Sequence, residues 1–173
     1  GTLGALTINA ASDSRTGDAD IAIVDIGDTN TVGAAATNIG NSATELITLS
    51  GTTFKHGAAV YTSKANDFIQ LTRTAGAGNV TFTLSNASLE FAGGAVELAD
   101  NVDLVVGTGN GSITVKEIAG TSYEDVTLTT SGTLTIGTGG IGAGTEIEDV
   151  NLDGRYMYKG EYIDVATCAN GAQ

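Results

Sequence analysis

The sequence predicts an all-β, single-domain chain folded as a parallel β-helix, or β-solenoid, with coils of roughly 22 residues. An antiparallel β-sandwich or jelly roll of a pilus-type subunit is the alternative. Three observations carry the prediction. Segments of four to eight residues alternate apolar and polar side chains, whereas no window of ten or more holds the three-and-four spacing of an amphipathic helix. Glycine, asparagine and aspartate stand between the segments, and with no proline in the chain the turns rest on 25 glycines. Apolar residues also recur at a fixed step: Ile47, Ile69, Phe91 and Ile113 are 22 apart, as are Leu84, Val106, Leu128 and Val150, and Val24, Leu46 and Phe68.

In chain order the strand candidates begin with LTIN (6–9) and DIAIVDI (20–26). GAAATNIGNSA (33–43) lacks alternation and reads as a loop. ELITLS (45–50), DFIQLTRT (67–74), NVTFTLS (79–85), SLEFA (88–92), AVELA (95–99) and VDLVVG (102–107) follow. SITVKEI (112–118), DVTLTT (125–130), TLTIG (133–137), EIEDVNL (146–152) and EYIDVA (161–166) complete the series. Thr, Val and Ile are frequent in them, as a pleated surface favours. In a solenoid each segment stacks on its equivalent one coil later, at about 4.8 Å, so about seven coils are expected. In a sandwich, VDLVVGTGNGSITVKEI (102–118) would be a hairpin turning at Asn110-Gly111. Strand spacing does not separate the two. Within the domain, 1–43 reads as an N-terminal lead-in and cap, 44–154 as the repeat body and 155–173 as a C-terminal cap and interface segment.

Composition excludes several functions. Seven Lys and Arg stand against 20 Asp and Glu, a net charge of −13, and such a field repels nucleic acid and anionic membrane surfaces. No apolar run approaches the length of a membrane span. Gly1 is not an initiator Met, which fits a removed leader or a piece of a larger exported protein. Cys168 is the single cysteine, so no internal disulfide framework exists and an inert thiol is the simplest reading.

Two acidic groups are the metal candidates, with Ca²⁺ the ion that hard oxygen ligands would take. Asp13, Asp18 and Asp20 cluster in a loop, and Glu146 and Glu148 share one face of a strand. No other cofactor is expected. GTGGIG (137–142) satisfies the dinucleotide glycine pattern, but strand-like residues follow where a helix is needed. It also lacks the aspartate of a calcium nonapeptide, since Gly144 stands there. His56, the only histidine, has no second ligand or nucleophile motif and reads as a turn or surface residue. Paired carboxylates could cleave sugars, but tryptophan is absent and aromatics are 5%, so no catalytic residue is assigned. Three acceptor triplets for N-glycosylation begin at Asn79, Asn86 and Asn110.

Residues 154–168 hold three of the five tyrosines, and Tyr156, Met157, Tyr158 and Tyr162 have the character of an interface. Leu3, Leu6 and Ile8 are the matching candidates at the N-terminal side. The partner expected is a further copy of the chain, in a homo-oligomer or filament, with other surface proteins or glycans as additional partners.

GNGSITVKEIAG, DVTLTTSGTLTIG and GGIGAGTEIEDVNLDG (139–154), the last with Ile141, Gly142, Ile147 and Val150 in its patterned places, resemble strand repeats of large secreted bacterial adhesins. The family is that of filamentous haemagglutinin and autotransporter passengers. GTTFKHGAAVYTSKANDFIQLT (51–72) is a looser likeness. The resemblance spans about residues 44–154 and implies a right-handed parallel β-helix with a secreted, extracellular or cell-surface role. Three functions are therefore expected in order: a non-enzymatic subunit of a self-assembling surface filament or layer, an adhesion module of a large secreted adhesin, and a carbohydrate-active β-helix enzyme.

Overall fold

The computed structural model describes residues 3–9, 20–28, 30–142, 147–158 and 161–168, and side-chain surroundings for those up to 153. Among them there is no helix; parallel strands stack in about five coils, a β-solenoid. β1 (Leu6–Ile8) and β2 (Asp20–Ile23) open the stack. Three coils of three strands follow: β3 (Ala36–Gly40), β4 (Leu46–Leu49) and β5 (Thr53–His56); β6 (Ala58–Thr62), β7 (Phe68–Leu71) and β8 (Gly78–Leu84); β9 (Leu89–Ala92), β10 (Ala95–Leu98) and β11 (Val102–Gly107). β12 (Ile113–Ala119) and β13 (Glu124–Ile141) each run on around a corner as one strand, with a register shift between Val115 and Glu117, and β14 (Ile147–Tyr158) continues the path. β15 (Glu161–Cys168) turns back antiparallel onto β14, pairing Met157 with Tyr162 and Tyr158 with Glu161.

The pairings define three faces. The first is β1-β3-β6-β9-β12-β13-β14, all parallel. The second is β2-β4-β7-β10 with the ends of β12 and β13. The third is β5-β8-β11-β13-β14, which Ile26 joins by a bridge to Phe54. Alternation in each strand sends one set of side chains inward, where they form rows. Ile21, Ile47, Ile69, Val96 and Ile118 make one; Ile39, Tyr61, Phe91, Val115 and Ile136 make another. All ten are buried, and burying each large side chain contributes roughly 1.5–3 kcal/mol. Aromatic rings fill the middle coils: Phe54 stacks on Phe82 at 4.8 Å, Tyr61 on Phe91 at 5.6 Å, and Phe82 meets Phe91 edge-on at 5.3 Å.

Corners are stitched from coil to coil, because backbone donors leaving a strand need acceptors. Asp25 Oδ1 accepts from the Thr52 and Thr53 amides, both at 2.8 Å. Asn86 Oδ1 accepts from the Asn110 amide, and Ser88 Oγ from the Ser112 amide. The corner from third to first face is tight. A Cβ on Gly57 would strike the Ala35 carbonyl, one on Gly111 the Ala87 carbonyl, and one on Gly132 would lie 2.7 Å from the Gly111 carbonyl oxygen.

Several sequence expectations are corrected. Residues 33–43 are not all loop: β3 lies within them, with Thr37 and Ile39 facing in, and the small residues around them conceal the alternation. The antiparallel alternative fails, since β11 and β12 do not pair with each other and 108–112 is a corner between faces. The uniform 22-residue step holds for Leu46 with Phe68, Ile47 with Ile69 and Val106 with Leu128. It fails at the other steps of those series: Ile69 stacks on Val96, Phe91 on Val115, Leu128 on Leu152, Phe82 rather than Leu84 on Val106, and Asp20 rather than Val24 pairs with Leu46. Corner loops of different length set the step, which runs from 21 residues (Ile113 to Leu134) to 31 (Leu6 to Thr37). Longer coils leave about five where seven were expected.

Candidate functional site

Because alternate residues of every strand face out, the faces carry columns of polar side chains at the coil spacing. On the third face one column runs Thr53, Thr81, Val105, Thr127, Asn151, and the next Lys55, Thr83, Gly107, Thr129, Asp153. A third column is acidic. Asn79 pairs with Asp103, the Asp125 amide donates to Asp103 Oδ1 at 3.0 Å, and Asp125 pairs with Asp149. Partial burial pushes the Asp125 carboxyl above its ordinary range, and the Asp103 and Asp149 charges add to that. Strand alternation was visible in the sequence, but the register that stacks these three aspartates was not.

Glu124, beside that column, behaves oppositely. Its side chain is buried and turned into the 120–123 corner, where Oε2 accepts from the Thr121 and Ser122 amides at 2.9 Å each and Oε1 from the Thr121 hydroxyl at 3.1 Å. Burial acts to raise its pKa, but those bonds outweigh it and hold the carboxyl below its usual value.

Of the metal candidates, Asp13, Asp18 and Glu146 lie outside the described residues. Asp20 is exposed in β2 at one end of the stack and Glu148 is exposed in β14 at the other, so the fold does not bring these two together. Among the described residues no three His, Cys, Asp or Glu side chains are grouped to hold a metal ion. Tyr156, Met157 and Tyr158 lie in β14 and Tyr162 in β15, with side chains outside the described set. Leu3 is 57% exposed and bridges Ala34, while Leu6 and Ile8 pack against the interior. Gly137, Gly139 and Gly140 belong to the far end of β13 and Gly142 follows it, with Gly140 and Gly142 at positive φ. Asn79, Asn86 and Asn110 are all exposed.

His56 corrects the surface reading. It is fully buried at the end of β5 because inward alternation from Phe54 places it there. Nε2 lies 2.9 Å from the Tyr61 hydroxyl and Nδ1 3.2 Å from the Gly57 carbonyl. A carbonyl only accepts, so Nδ1 carries the proton and Nε2 accepts from Tyr61: a neutral imidazole with both nitrogens satisfied.

The chain, compared with protein-family models, with curated proteins and with solved structures, has no match in any of the three. Among the described residues no helix is long and apolar enough to cross a membrane.

Proposed function

We propose that the protein is a non-enzymatic, extracellular structural subunit whose stacked coils build a surface filament or layer. One observation supports this most: β1 and β2, which open two of the three faces, each pair on one side only among the described residues. An unpaired parallel edge offers backbone donors and acceptors to a further strand, and Leu6 and Ile8 supply apolar surface next to it. A repeated contact of that kind between unlike ends generates an open polymer. An adhesion module is the second reading, favoured by the outward threonine and aspartate columns of the third face, which would meet a glycan or another surface protein.

Negative-stain electron microscopy of the purified chain at low and high concentration, with and without Ca²⁺ and a chelator, tests the proposal. Regular fibres or sheets that grow with concentration are expected. Uniform single particles under every condition would rule out the filament and leave the adhesion module; chelator sensitivity would bring the acidic loops into assembly.

A further inference from the structure

We propose that His56 is a proton-operated release point, through which mild acid opens the corner between β5 and β6 while the later coils stay closed. The geometry is that of a neutral group sealed in an apolar interior. The imidazole lies tilted against Tyr61 and edge-on to Phe82 within the coil, at ring-centroid distances of 5.9 and 6.2 Å, and its row continues into Leu84. Among the described residues, the side chains turned inward on the strands that pair and pack with β5 are apolar or uncharged: Phe54 on β5 itself, Ala59 and Tyr61 on β6, Phe82 and Leu84 on β8, and Ile26 at its bridge to Phe54. Lys55 on β5, Glu90 on β9, and Asp25 and Asp28 beside Ile26 all hold outward or exposed positions. Tyr61 is the other titratable group facing the ring, and burial raises its pKa, so it stays a neutral phenol.

A proton added to Nε2 has no favourable place here. Nε2–H would become a donor, Tyr61 would have to turn from donating to accepting, and its hydroxyl hydrogen would be left without an acceptor in the apolar interior. Among the described residues the new positive charge would also face no inward-turned anion. Burial accordingly depresses the imidazole below its ordinary value of 6.5, against a smaller opposing effect of the Gly57 carbonyl. The folded corner thus keeps its full stability above that value and loses it progressively as pH falls below it, because the open form binds the proton more readily. Gly57 makes the response local. The turn between β5 and β6 is this one residue, and its amide is held by the Ala34 carbonyl at 2.8 Å, so His56, Tyr61 and the first-face strand move together.

Hydrogen exchange of the full chain at about pH 7.5 and about pH 5.5, corrected for intrinsic rates, reads the effect: linkage predicts protection at β5 and β6 that is lower in acid, by up to about tenfold. Amides of β11 serve as the internal reference and should change far less. The double variant His56→Leu/Tyr61→Phe removes both polar groups and should abolish the difference. Unchanged protection at β5 and β6, an equal loss in β11, or the same loss in the double variant would each overturn the proposal. Should the variant not fold, the native chain still decides it. His56 gives the single imidazole resonance in an NMR titration, and titration at or above its ordinary value would end the idea.

Discussion

Lys116 Nζ lies 2.8 Å from the carbonyl oxygen of Ala65, joining residues 51 apart in sequence. Ala65 sits in the 63–67 corner between β6 and β7, and Lys116 in β12, two coils further on. Between them lies the two-residue corner Gly93-Gly94, whose Gly94 amide donates to Ser63 Oγ at 3.1 Å. A Cβ at Gly93 would run into the Ser63 carbonyl and one at Gly94 into the Asp67 carbonyl. The longer loop is therefore draped over the shorter one and pinned beyond it. On its other side, Lys64 is 3.4 Å from both Glu45 and Asp67.

Lys116→Ala should free the far side of this loop. Hydrogen exchange at 65–67 should accelerate, while global stability falls by only about 1 kcal/mol, the net worth of one partly exposed charged hydrogen bond. Equal acceleration throughout the stack would show that the pin is not local.

Gly111→Ala should be far more costly, although one methyl is all it adds. The Gly111 carbonyl accepts from both Thr108 and Thr130 hydroxyls, so the corner cannot shift to relieve contact with Ala87. A loss of about 1–3 kcal/mol is expected in urea unfolding, the range for overpacking a closed site. Gly107→Ala is the control, because a Cβ there meets nothing within 4 Å.

Asp125→Asn should stabilise the chain at neutral pH. The native carboxyl titrates above its ordinary 3.8 when folded. Its ionised form therefore weakens the fold above the folded pKa, and the penalty is relieved as pH falls towards the unfolded value. Solvent and salt screen the column, so the gain should be about 0.5 kcal/mol at neutral pH. Unfolding midpoints at neutral and acidic pH check it: the difference between variant and native chain should shrink in acid and in high salt.

Much of this architecture was legible in the residues. NVTFTLS and VDLVVG alternate strongly because one side of each strand faces an apolar interior, and both became strands in the expected places. The glycine-bounded segments also acquire a physical cause: Gly111 before Ile113-Thr114, and Gly132 before Leu134-Thr135, mark the corner where consecutive backbones nearly touch. What could not be read was anything set by corner length. Residues 72–77 put Phe68 opposite Ala95, 27 positions on, so Ile69 meets Val96 instead of the equally apolar Phe91. His56 was misplaced for a related reason. A lone polar residue before glycine looks like a turn, and only the inward phase of Phe54 across the coil reveals that it is enclosed.

The direction of the hydrogen bonds has a mechanical consequence. In a parallel stack they run along the long axis, so a pull on that axis loads the ladders in series and the weakest coil yields first, with corner links such as Ser88 to Ser112 sharing the strain. A coil that gives way advances the rod by only about 4.8 Å while still folded. Unravelled, its 21 to 31 residues extend to about 70–110 Å. The molecule thus holds a large reserve of length in a short object and can dissipate a sudden load stepwise, coil after coil, before the chain itself is stretched taut.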